Sequence, residues 1–312
     1  TSGNQKTDIK SAINRLRSGG STAGGAGIQL AYEIAQKNFV KNGNNRIILA
    51  SDGDFNVGTS SQEALVELIE KKRESGVFLS VLGFGMGNLQ DYKMEQLADK
   101  GNGNYSYIDN LLEAQKVLVT EMGGTLFTIA KDVKVQAEFN PNKVKAYRLI
   151  GYVNRALVDE DFNDDKKDAG ELGAGHSVTV LYEIIPVNST EKIMDVDPLK
   201  YQALESVPNQ KIPDDLLTVK FRYKLPESNE SILFSKVMKD EVVELSEAST
   251  NLQFSAAVAC FGMKLRNSES VKEISYEAIG QMAKKAKGVD EEGYRSQFVQ
   301  MIQMADLISN SK

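Results

Sequence analysis

Apolar positions in the first third of the chain repeat with two different periods. Ile28, Tyr32, Ala35 and Phe39 fall on one side of a helix predicted over Ile28–Val40, whereas Val77-Phe78-Leu79-Ser80-Val81-Leu82-Gly83-Phe84 reads as a strand buried on both faces. Around them the pattern predicts a helix ending over Ile9–Leu16, a strand at Ile47–Ala50 and a helix over Glu63–Glu74 closed by Gly76. A short helix at Met94–Lys100, a strand at Tyr105–Ile108 and a closing helix over Leu111–Met122 complete the series. Strands alternating with helices specify a parallel sheet with helical crossovers. In such open sheets ligands bind beyond the carboxyl ends of the strands.

After Gly123-Gly124 the period changes. Thr125–Ala130, Val133–Phe139, Val144–Tyr152, Ser177–Ile185, Leu217–Tyr223 and Ser231–Lys236 read as strands with no long helices between them. Alternation is plain in Val133–Phe139, as expected of antiparallel strands with one wet face, and a small β-sandwich is the simplest architecture. Helical patterns return over Phe254–Leu265, Tyr276–Ala286 and Glu292–Ile308. The expected fold is therefore α/β with a doubly wound, mostly parallel sheet, then an antiparallel sandwich-like region and a C-terminal helical segment. The expected divisions are 1–123, 124–250 and 251–312, with the last segment packing on the β-rich domain.

Composition narrows the function. The 312 residues carry a net charge of −6, which argues against nucleic acid or an anionic membrane as the main partner. No apolar run approaches the roughly 18–20 residues that span a bilayer. The single Cys260 has no partner for an internal disulfide and reads as a small buried hydrophobe.

Two local words carry chemistry. Gly19-Gly20-Ser21-Thr22-Ala23-Gly24-Gly25-Ala26-Gly27 is a glycine-rich turn bearing hydroxyls and opening a helix. Arg46-Ile47-Ile48-Leu49-Ala50-Ser51-Asp52-Gly53-Asp54 is an apolar strand ending in aspartate before glycine. A hydroxyl loop and a strand-end carboxylate offer the hard oxygens that Mg²⁺ selects.

In combination these words resemble the von Willebrand factor type A domain, whose metal-ion-dependent adhesion site draws ligands from three separated motifs. Thr22 matches the threonine of the second motif and Asp52 the aspartate of the third. Ser21 would join them, and Gly24, Gly25, Gly83 and Gly85 would supply backbone around the site. The first motif, Asp-x-Ser-x-Ser, is absent, and in the family it lies upstream of the Thr loop. The sequence, which begins at Thr1, is accordingly expected to lack the first part of the domain. The resemblance implies Mg²⁺ binding in the complete protein and weak or no binding by this chain. It also implies that Ile47–Ala50 is left as a sheet edge, open to a separate segment or to edge-to-edge homodimerisation.

The β-rich region and terminal helices, with Asp161–Glu171 and Glu291–Arg295, extend the resemblance to a bacterial family with an uncharacterised C-terminal domain. Its members look like secreted or lipid-anchored envelope proteins, so an extracytoplasmic location is expected.

Other sites read less well. Gly19–Gly27 lacks the Lys-Ser/Thr of a phosphate loop, and Gly83–Gly87 lacks the third glycine of a dinucleotide fingerprint. The acidic run Asp159–Asp165 lacks the glycine and glutamate of an EF-hand and reads as a solvated loop. His176, the only histidine, has no Cys or second His nearby and is read as structural. A non-enzymatic adhesion module engaging a protein carboxylate is the leading expectation. The alternatives are a type A scaffold that binds no metal, or a hydrolase, which lacks a nucleophile–base pair.

Overall fold

The computed structural model describes residues 1–17, 24–41, 43–52, 62–86, 89–151, 157–165, 169–190 and 214–311. The chain divides into two compact units. One comprises Thr1–Val133, Asp168–His176 and Tyr223–Ser231; the other comprises Lys134–Lys167, Ser177–Arg222 and Ile232–Lys312.

The first unit opens with helices α1 (Lys6–Asn14) and α2 (Gly24–Lys37) and then alternates β1 (Arg46–Ser51), α3 (Gln62–Arg73), β2 (Phe78–Gly83), α4 (Asp91–Lys100) and β3 (Tyr105–Tyr107). The three strands form a parallel sheet in the order β1-β2-β3. The continuous apolar run of β2 has its reason here, because β2 is central and is covered by helices: Leu79, Val81 and Leu82 are all buried. Ile28 and Tyr32 from α2, Leu65 and Ile69 from α3, and Met94 and Leu97 from α4 enclose them. Each such side chain contributes roughly 1.5–3 kcal/mol by leaving water. Tyr32 is fully buried, and among the described residues its hydroxyl has no hydrogen-bond partner.

The closing helix is not continuous. After α5 (Leu111–Gln115), capped by the Asn110 side chain, the chain widens into a π turn at Lys116–Thr120 before α6 (Met122–Leu126). The extra residue places Val117 against Leu82 and Ile108. Thr125 and Leu126, expected in a strand, therefore end a helix.

The expected strands on either side of Lys131 are one strand, β4 (Thr128–Phe139). A bulge absorbs the irregularity: Asp132 adopts φ +52°, and its carboxylate pairs with Lys224 at 2.6 Å. The remaining strands are β5 (Val144–Ile150), β6 (Gly170–Gly173), β7 (Leu181–Pro186), β8 (Asp215–Lys224) and β9 (Ser231–Lys239). They form an antiparallel β5–β7 pair and a four-stranded sheet of order β6-β4-β8-β9. β7 starts at Leu181 rather than at the expected Ser177.

Within the second unit, one face of the β5–β7 pair carries Tyr147 and Tyr182 against Phe139 of β4. The opposite face carries the Arg148–Glu183 ion pair, and Arg148 also donates to the Ser270 hydroxyl. Helices α7 (Thr250–Leu265), α8 (Tyr276–Lys285) and α9 (Tyr294–Asn310) share a core of Ala257, Phe261, Ile279, Val299 and Ile302. Arg295 ties them together by donating to Ala286 O, Lys287 O and Asn251 Oδ1 while its guanidinium lies over Phe254.

The wet face expected for Val133–Phe139 is partly reversed: Lys134 is buried and Val135 exposed. The Lys134 ammonium donates to Asp161 O at 2.7 Å and Asp164 O at 2.5 Å. Residues 159–162 form a 3₁₀ turn, and Asp165 pairs with Arg222 at 2.9 Å. The acidic run is thus pinned by two cations, not a freely solvated loop.

Candidate functional site

Parallel pairing brings the carboxyl ends of all three strands of the first sheet to one rim. β1 ends at Ser51 and is followed by Asp52, β2 ends at Gly83, and β3 ends at Tyr107. The rim is stitched by backbone: Phe84 N–H donates to Ser51 O at 2.9 Å, and Ile108 N–H donates to Gly83 O at 2.8 Å.

Asp52 is exposed. The turn after β2 faces it, because a β-carbon added to Gly85 would lie 3.7 Å from Asp52 Cβ. Gly85 adopts φ +92°, a conformation that disfavours every residue with a side chain. The structure therefore brings together two of the residues the sequence singles out, one from each of two adjacent strands. Gly83 is a neighbour for another reason: a β-carbon there would meet the Tyr105 hydroxyl at 2.8 Å.

Two tyrosines from β3, not singled out in the sequence, build the walls of the rim. Tyr107 donates its hydroxyl to Gly85 O at 2.7 Å, fixing the turn opposite Asp52. The Tyr105 hydroxyl donates to the Asp91 carboxylate at the first turn of α4. Burial raises the Tyr105 pKa, and the hydrogen bond to Asp91 raises it further. The signal was present in Tyr105-Ser106-Tyr107, whose period of two puts both rings on one face. Their targets, however, come from other elements.

Gly24 and Gly25 lie in the first turn of α2, which packs against β1. The helix begins four residues before the expected Ile28, so these glycines are helical rather than part of a loop. Thr22 and Ser21 lie outside the described residues. Among the described residues no group of three or more His, Cys, Asp or Glu side chains is placed to hold a metal ion. Asp52 follows β1 at this rim and Asp109 follows β3, where it accepts from Asn110 Nδ2 at 2.8 Å, while the Asp91 carboxylate accepts from Tyr105. A Mg²⁺ site that keeps several waters still draws on oxygens from more than one element.

His176 sits in a turn with its N–H donating to Gly173 O at 3.1 Å, and Cys260 is half-buried in α7 with its thiol pKa raised by burial. No described helix is long and apolar enough to cross a membrane.

A parallel sheet with helical crossovers is the fold expected of a von Willebrand factor type A domain. Residues 1–120 match the model of that domain, and residues 124–308 match the model described as "Uncharacterized protein YfbK, C-terminal". The chain belongs to this YfbK family, with a type A domain preceding the family's C-terminal region. The Escherichia coli (strain K12) protein named "Uncharacterized protein YfbK" is 45% identical over 309 residues, covering 99% of this chain and 53% of its own length. The chain thus spans about half the length of that curated relative. A solved structure titled "von Willebrand factor type A from Catenulispora acidiphila" aligns with a TM-score of 0.43 at 13% identity, over 97% of this chain and 67% of its own. The type A domain supports reading the chain as a protein-interaction module.

Proposed function

We propose that the complete protein is a non-enzymatic adhesion module of the bacterial envelope, secreted or lipid-anchored, that engages a carboxylate on a protein partner through Mg²⁺. Asp52 and Thr22 are the ligands of this reading, with Ser21 beside them. The observation that carries it is the apposition of Asp52 to the Gly85 turn at the carboxyl rim of a type A sheet. A cation held there with open positions would take an aspartate or glutamate from the partner, so binding would be metal-dependent and chelator-sensitive. The β1 edge is a further contact of the same reading, through which a second copy could join. Residues 1–123 would form the adhesion unit, 124–250 a β-rich domain, and 251–312 helices packing on it.

The alternative is a type A scaffold that binds no metal. Isothermal titration of Mg²⁺ and Mn²⁺ into the full-length protein separates the two. Saturable binding that Asp52→Ala abolishes is the expected result; no heat from the intact protein would leave the scaffold reading in place.

A further inference from the structure

Among the described residues of the first unit, the most exposed large apolar side chains are Met86 at 90% and Leu111 at 85%. Both stand at the carboxyl rim. Met86 follows Gly85 in the turn after β2, and Leu111 opens α5 just beyond β3. Neither place calls for an apolar residue by its own local structure. An exposed turn buries nothing, and the first turn of a helix such as α5 favours acidic residues. Large apolar side chains held in water at two neighbouring strand ends gain when something covers them, and a partner docked at Asp52 is placed to do so.

We infer that Met86 and Leu111 select the partner of this rim: a segment carrying a large apolar side chain two positions from the aspartate or glutamate it presents. The inference rests on the reading of the rim as the face that takes a partner's carboxylate. Strand spacing sets the distance. β1, β2 and β3 lie side by side about 4.8 Å apart, so the end of β3 is roughly 10 Å from the end of β1. Met86 follows the glycine that faces Asp52, and Leu111 lies one strand further. In an extended segment, side chains at i and i+2 point the same way and lie about 7 Å apart. An acid over Asp52 therefore carries its second neighbour to the gap between Met86 and Leu111. The Tyr107 ring spans that gap, since its hydroxyl reaches Gly85 O, and gives it an apolar floor. Charge decides against a second acid there, because Asp109, exposed just after β3, repels a carboxylate.

The test pans a displayed library of random linear peptides on the full-length protein in Mg²⁺, with elution by a chelator. The enriched peptides should share Asp or Glu separated by one residue from Leu, Ile, Met, Phe or Tyr, in either order. Met86→Ser with Leu111→Ser should then weaken a selected peptide by about tenfold or more, the scale of one interface anchor, and leave the Mg²⁺ titration unchanged. Both side chains are exposed, and circular dichroism checks that the variant is folded. Acidic peptides with no apolar preference at that spacing would overturn the inference while the carboxylate reading stands. So would a variant that holds the selected peptide as tightly as the parent. Mg²⁺ uptake without enrichment of any sequence overturns the inference and leaves metal binding in place. Enriched peptides that lack a carboxylate, or a full-length protein that takes up no Mg²⁺, overturn both.

Discussion

Tyr107 donates its hydroxyl to the carbonyl oxygen of Gly85 at 2.7 Å, so the last residue of β3 holds the turn that follows β2. The turn faces Asp52, the side chain that follows β1. All three strands of the sheet thereby meet at one carboxylate. The position of Asp52 relative to its surroundings depends on a hydrogen bond to a residue 22 positions further along the chain than Gly85.

Tyr107→Phe removes that bond and nothing else of size. Its expected cost is about 1 kcal/mol in urea unfolding. Gly85→Ala, forced to φ +92°, should cost about 1 kcal/mol or more. If both variants unfold at the parental urea midpoint, the turn is not held as described.

Tyr32→Phe should leave stability unchanged or raise it by up to about 1 kcal/mol, because it deletes a buried hydroxyl that has no partner among the described residues. Burial pushes the Tyr32 pKa up to about 12, against a smaller lowering by Arg73. Ultraviolet titration should therefore find one tyrosine fewer ionising well above the ordinary value of 10.0 in the variant than in the parent, where Tyr105 is raised as well. Destabilisation by 2 kcal/mol or so would show that the hydroxyl has a partner after all.

Gly173→Ala addresses the approach of β6 to α6. A β-carbon at Gly173 would fall 1.4 Å from Gly124 O, a backbone atom that cannot swing aside as a side chain would. The expected loss is on the order of 3 kcal/mol or more, seen as a large drop in thermal midpoint. Gly170→Ala, whose added carbon would meet Val133 O at 3.9 Å and nothing nearer among the described residues, is the control and should be far milder.

Lys134→Met keeps the length of the buried stem and deletes its ammonium. The carbonyls of Asp161 and Asp164 lose this donor, at a cost of about 1–3 kcal/mol. Hydrogen exchange should accelerate over 159–165. Unchanged exchange there would mean that Lys134 does not pin the turn.

Asp290 accepts from the Ser296 hydroxyl and from the N–H groups of Arg295 and Ser296, so it serves the first turn of α9 from outside the helix. The Ser296 hydroxyl is the main reason its carboxyl is held below the ordinary value of 3.8. A depressed carboxyl stabilises the folded chain fully above its unfolded pKa, and that contribution is lost as pH falls through the folded value. Asp290→Ala should therefore cost about 1 kcal/mol near neutral pH, the usual size of a cap, with the gap to the parent shrinking below pH 3.8. A gap that stays constant into acid would assign the effect to packing.

Much of the first unit was legible from periodicity. Helices bury a face every three or four residues and a central strand buries every residue, so α2, α3, α4 and β2 could be read directly along the chain. The match of residues 1–120 to the type A model agrees with that reading. The helices α7, α8 and α9 were legible for the same reason. Boundaries were less so wherever glycine or a bulge intervened, as at Gly24, which is helical, and at Asp132, where β4 runs on through a left-handed residue.

Sequence alone determined the alternation that makes the first sheet parallel, and hence that Asp52 would stand at its carboxyl rim. Those follow from local spacing and burial pattern, which need no knowledge of distant contacts. Tertiary structure alone decided that Tyr107 would brace Gly85 and that Lys134 would turn inward to an acidic loop. It also left both faces of β9 uncovered. Each of these outcomes depends on which backbone groups and surfaces remain unsatisfied after the strands have paired, a property of the assembled fold rather than of any one segment.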